Sequence, residues 1–128
     1  MIERTFVDTN YFLRLILVDN LNHLHQVKSL FNQAERGEIT LVTTTLVFFE
    51  LHWVLATSYR QSKVVIVETL RRLLALPYLE VEQAEVLAEG LDIYSKQGLD
   101  FEDCYYLAWW LGMISLPNYR MARKCLSM

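Results

Sequence analysis

The sequence predicts an α/β domain, a three-layer α/β/α sandwich around a short parallel sheet of about four strands. Three observations lead there. Short β-prone runs alternate with helix-like segments, and parallel strands need such crossovers between them. Apolar residues make up 53% of the chain against 21% charged, enough for a buried core and too apolar for a disordered tail. At 128 residues one domain is expected, spanning 1–128.

The elements follow in order. Thr5-Phe6-Val7 is a first strand, closed by the helix-start signal Asp8-Thr9-Asn10. Tyr11 to Leu17 reads as a helix ended by Asp19-Asn20, and Leu24, Val27, Leu30, Phe31 and Ala34 keep helical spacing up to Gly37. Ile39 to Val42 is a second strand, Thr43-Thr44-Thr45 supplies a cap, and Leu46 to Tyr59 is a long apolar helix. Gln61-Ser62 opens a helix to Leu74, against the β-branched run Val64-Val65-Ile66-Val67. Leu79-Glu80-Val81 is a third strand, and Gln83 to Gln97 an amphipathic helix stopped by Gly98. Asp100 caps a last helix, Phe101 to Leu111, which Gly112 is expected to end before a fourth strand, Met113 to Leu116.

Several function classes find no support. No apolar run reaches the roughly 18 residues of a membrane span, and the N-terminal residues lack a signal-peptide pattern, so a cytoplasmic protein is expected. Cys104 and Cys125 form no CxxC pair, and His23, His25 and His52 share no ligand spacing with them. Gly-rich phosphate loops and nucleophile elbows are missing. The net charge of −3 does not decide for or against nucleic acid, because clustered carboxylates are neutralised by the ions they bind.

The acids carry more information, because open parallel sheets place their sites beyond the carboxyl ends of the strands. Asp8 stands there after the first strand, as helix cap or as metal ligand. Glu50 sits in the middle of the apolar segment Leu46 to Leu55. A carboxylate inside such a helix needs a cation, a proton or an exposed strip, the last shared with His52. Asp100 and Asp103 share one face at the start of the last helix, where the helix dipole accounts for one of them and a metal site for both. Oxygen ligands of this kind suit Mg²⁺ or Mn²⁺. Trp109, Trp110, Tyr105 and Tyr106 fit a core or dimer interface better than base stacking, and Arg120, Arg123 and Lys124 form a basic cluster.

Phe6-Val7-Asp8-Thr9-Asn10, then Phe49-Glu50-Leu51, then Asp100-Phe101-Glu102-Asp103-Cys104-Tyr105-Tyr106-Leu107-Ala108 resemble the successive acidic motifs of PIN-domain ribonucleases, above all VapC-type toxins of toxin–antitoxin pairs. The resemblance runs from the first strand to about Leu116. It implies a PIN-like fold and a Mg²⁺- or Mn²⁺-dependent endoribonuclease acting on RNA. It also implies a homodimer and a VapB-like antitoxin that blocks the cleft. By that likeness Asp8, Glu50 and Asp103 are core metal ligands and catalytic residues, Asp100 is an auxiliary acid, and Arg14 contacts substrate phosphate or is a surface residue. One departure stands out. The family's late Thr or Ser followed by Asp is replaced by Leu116-Pro117-Asn118-Tyr119-Arg120, and no acid follows Asp103. With a C-terminus expected to be shortened, this keeps open a second reading: a degenerate relative with reduced or no nuclease activity that acts as a binding partner. A phosphoacceptor of receiver type fits poorly, lacking paired acids after the first strand.

Overall fold

Three short strands and six helices make up the described part of the chain, and the computed structural model describes residues 2–17 and 21–113. The chain divides into two compact units, Met1–Ala84 and Glu85–Met128.

In the first unit the order is β1 (Glu3–Phe6), α1 (Thr9–Ile16), α2 (Leu21–Glu35), β2 (Ile39–Thr43), α3 (Thr45–Thr57), α4 (Lys63–Leu74) and β3 (Leu79–Val81). The sheet runs β1-β2-β3 with every pairing parallel. Two helices bridge each pair of strands, as parallel pairing demands. Phe6 sits opposite Val42 and Thr43 opposite Val81, so the three strands end almost level. The chain therefore turns into α1 and α3 side by side, which places Asp8 and the start of α3 at one edge.

Packing explains these elements. Phe12, Leu41, Phe48, Leu51 and Leu55 are fully buried, each contributing about 1.5–3 kcal/mol by leaving water. Phe12 meets Phe31 and Phe48 edge-on, with ring centroids 6.1 and 6.5 Å away, which ties α1, α2 and α3 together. Gly37, at φ +78°, turns the chain out of α2 in a conformation that favours glycine. The β-branched run Val64–Val67 is helical after all. Ser62 caps it, its hydroxyl accepting from Val65 N–H at 3.3 Å, while Ile66, Val67, Leu70 and Leu73 bury one face. Tertiary burial outweighs the local preference of Val and Ile for strands.

The second unit contains α5 (Ala84–Lys96) and α6 (Phe101–Met113). Leu87, Gly90 and Leu91 on α5 and Phe101, Cys104 and Ala108 on α6 are buried. A Cβ on Gly90 would lie 3.1 Å from the backbone Cα of Tyr105, so the two helices approach as closely as they do because position 90 has no side chain.

Two expectations change. Gly112 does not end the last helix, and Met113 belongs to α6 rather than to a strand. A helical glycine costs about 1 kcal/mol relative to alanine, which a well-formed helix absorbs. The expected α/β fold with a short parallel sheet is present, with three strands among the described residues against the about four expected; the rest of the expected fourth strand lies outside them. So do the turn at Asp19-Asn20, the segment Asn118-Tyr119-Arg120 and the basic residues Arg123 and Lys124. Among the described residues no helix is long and apolar enough to cross a membrane.

Candidate active site

The level ends of β1 and β2 are fastened to each other before the helices begin. Val7 N–H donates to the Val42 carbonyl at 2.9 Å, and the buried Thr43 hydroxyl donates to the Val7 carbonyl at 2.9 Å. On the other side, Glu82 N–H donates to the Thr43 carbonyl at 3.1 Å, and the Thr45 hydroxyl to the Glu82 carbonyl at 3.0 Å. The run Thr43-Thr44-Thr45 thus holds both neighbouring strand ends. Thr44 also caps α3, accepting from Val47 N–H at 3.4 Å.

A cleft of about 620 Å³ opens at this edge, lined by Phe6, Asp8, Asn10, Leu46, Glu50 and Trp53 among others. Asp8 serves as a cap after all: its Oδ1 accepts from Tyr11 N–H at 3.1 Å. The cap takes one oxygen of an exposed carboxylate that also lines the cleft. Cap and ligand are therefore compatible roles for one residue.

Glu50 reaches the same cleft from α3, and its Oε2 accepts the hydroxyl of Thr9 at 2.5 Å. Thr9, only 9% exposed, is the first residue of α1. The hydrogen bond links the helix that starts at Asp8 to the helix that carries Glu50. Of the alternatives open for Glu50, the structure shows an exposed strip, and the residue is exposed. Its exposed strip is shared with Leu46, Trp53 and Thr57 rather than with the half-buried His52. Those positions recur every three or four residues, one helix face, and the apolar character of Leu46 and Trp53 hid that face in the sequence.

Arg14 points its guanidinium over the Tyr11 ring, 5.9 Å from the centroid, and is not among the residues lining this cleft. In the second unit, Asp100 is exposed and Asp103 half-buried at the start of α6. The Asp100 carbonyl accepts the first helical hydrogen bond, from Cys104 N–H at 3.0 Å. Burial raises the Tyr94 phenol above its usual range, and its electrostatic interactions with Asp100 and then Cys104 raise it further. The aromatic residues of α6 are corrected as core: Tyr106 is 55% exposed and Tyr105, Trp109 and Trp110 half-buried, because the buried face is Phe101, Cys104 and Ala108.

The first-unit donors fit a hard divalent cation. Two carboxylates, the Thr9 and Thr44 hydroxyls and the Asn10 amide all border the cleft, an oxygen-rich set of the kind Mg²⁺ accepts through one or two carboxylates with waters completing its shell. Among the described residues no group of three or more His, Cys, Asp or Glu side chains stands together to hold an ion. Asp8 and Glu50, expected from the sequence as site residues, line this cleft, and so do Thr9, Thr44 and Trp53, which the sequence did not single out. The helical spacing of Trp53 from Glu50 was the available signal for the last of these.

No curated protein and no solved structure matches the chain. The family model of the PIN domain, a nuclease fold, matches residues 5–109. That match spans Asp8, Glu50 and the first turn of α6, and by it the chain belongs to the PIN-domain family.

Proposed function

We propose that this chain is a divalent-metal-dependent endoribonuclease, the toxin of a toxin–antitoxin pair, in which Asp8 and Glu50 hold Mg²⁺ or Mn²⁺. The observation that carries the reading is that these two residues line one cleft beyond the strand ends of a PIN domain. Asp103, with Asp100 as auxiliary acid, is proposed as the further ligand on the order and spacing of the sequence motifs. A bound divalent ion supplies Lewis acidity toward a phosphodiester and lowers the pKa of a bound water. The protein's share is positioning. Thr9 holds Glu50 toward the cleft, the α1 cap fixes Asp8, and the threonine run keeps both helix starts in register.

The same reading includes a homodimer and a VapB-like antitoxin that blocks the cleft. Exposed Tyr106 and Leu111 on α6 offer apolar surface for association. Arg14, stacked on Tyr11, is proposed only as a distant phosphate contact.

The test is cleavage of a labelled single-stranded RNA with Mn²⁺, with Mg²⁺ and with EDTA. Cutting with either metal and none with EDTA is expected. No cutting under any condition, with RNA binding retained, favours the degenerate binding protein instead.

A further inference from the structure

We infer that Trp53 is a base-stacking platform that holds an unpaired nucleobase of the substrate beside the two carboxylates; the substrate class rests on the nuclease reading above. Trp53 follows Glu50 by three residues and lines the same cleft. It is 64% exposed, in a unit that buries Phe12 and Phe48 completely. Phe6, 55% exposed, and Leu46, 63% exposed, continue the apolar rim around the acids. One exposed aromatic needs no explanation. Two on one cleft, beside its carboxylates, do.

The electrostatics of the cleft favour a base as the occupant. None of the described residues lining it is Lys, Arg or His. The described side chains that line it cannot pair with phosphates, the usual source of affinity. Carboxylates without a cation repel phosphate, so the attraction that the described lining of this cleft offers the substrate comes from its apolar faces. Nucleobases offer such faces, and stacking on Trp tolerates any base. In a duplex those faces are already covered by neighbouring pairs. The cleft therefore selects single strands, loops or ends.

The test measures binding in EDTA, where no cutting interferes, using a fluorescein-labelled single-stranded RNA 12-mer and the full chain. Wild type, Trp53→Phe, Trp53→Leu and Trp53→Ala are compared by fluorescence anisotropy. A second 12-mer has the same backbone and charge with its central nucleotides abasic. Circular dichroism checks the fold, which an exposed position should not disturb. Trp53→Phe is expected to bind within about threefold of wild type. Trp53→Ala and Trp53→Leu should bind about tenfold more weakly, as loss of one stacked base implies. Wild type should bind the abasic strand as poorly as Trp53→Ala binds the normal one, and a duplex of equal length should compete poorly.

Equal binding by wild type and Trp53→Ala, or no binding by wild type, overturns the stacking role. If wild type still cuts the 12-mer with Mn²⁺, the nuclease reading survives that result. Trp53-dependent binding without any cutting supports stacking and removes the nuclease reading. Loss of a dimer in Trp53→Ala with unchanged RNA binding assigns the surface to a second copy and overturns the proposal.

Discussion

Thr9 donates its hydroxyl to Glu50 Oε2 at 2.5 Å, so the residue after the α1 cap orients the acid of the neighbouring helix. Asp8 fixes the start of α1, and Thr9 carries that position across to α3. Replacing Thr9 by Val keeps the volume of a nearly buried side chain and deletes only the donor. Thermal unfolding should show a loss of about 1 kcal/mol, the ordinary net worth of a hydrogen bond. Mn²⁺ affinity should also fall, on the order of tenfold, as when a group orienting a metal ligand is lost. Thr9→Ser should restore both. Full Mn²⁺ affinity in Thr9→Val would confine Thr9 to a structural role.

Asp8 has two roles that substitution can separate. Asn caps helices about as well as Asp, whereas Ala costs about 1 kcal/mol at such a position. In the absence of metal, Asp8→Asn should melt close to wild type and Asp8→Ala lower, because only the second removes the acceptor for Tyr11 N–H. Both should lose metal-dependent cleavage equally. Unequal loss of cleavage would tie activity to the cap rather than to charge.

Asp8 and its cap were legible in the sequence because a strand, an Asp-Thr-Asn start signal and a helix follow one another directly. Glu50 was legible as an anomaly, a lone carboxylate in the apolar segment Leu46 to Leu55. What the sequence misplaced is its exposed strip, which runs beside Leu46 and Trp53 rather than His52. Hydrophobic pattern cannot reveal an exposed face built from apolar residues. The Thr9–Glu50 contact joins positions 41 residues apart, and no local rule connects them. The β-branched run of α4 and the helical Gly112 show local preference giving way, in one case to burial and in the other to a helix that tolerates glycine.

Gly90 and Gly112 should respond in opposite directions to alanine. Both are helical, so each gains up to about 1 kcal/mol from propensity. At Gly90 the new Cβ meets the Tyr105 backbone, at 3.1 Å from Cα and 3.3 Å from N, and a helix backbone cannot move aside as a side chain can. Overpacking of about 1–3 kcal/mol should outweigh the gain. At Gly112 nothing among the described residues lies within 4 Å. Chemical denaturation should show Gly90→Ala destabilised and Gly112→Ala stabilised; a stabilised Gly90→Ala would mean that the α5–α6 contact yields.

Stability should fall at alkaline pH partly through Tyr94. Its folded pKa is raised, by burial first and then by Asp100 and Cys104, so the unfolded chain releases the phenolic proton at lower pH than the folded one. Its contribution is fully present below the ordinary tyrosine value of about 10 and is lost as pH rises through the folded pKa. Tyr94→Phe should flatten the fall in melting temperature above about pH 10. An unchanged slope would place the sensitivity elsewhere, with Tyr78, also raised by burial and then by Glu35, the next candidate.

The claim that Asp8 and Glu50 act as one metal-binding pair is tested most directly by calorimetric titration of Mn²⁺ into wild type, Asp8→Asn and Glu50→Gln. A saturable site is expected in wild type that each substitution weakens by at least on the order of tenfold, with the fold intact by circular dichroism. Mn²⁺ binding of undiminished affinity in both variants would contradict it, because neither carboxylate could then be a ligand.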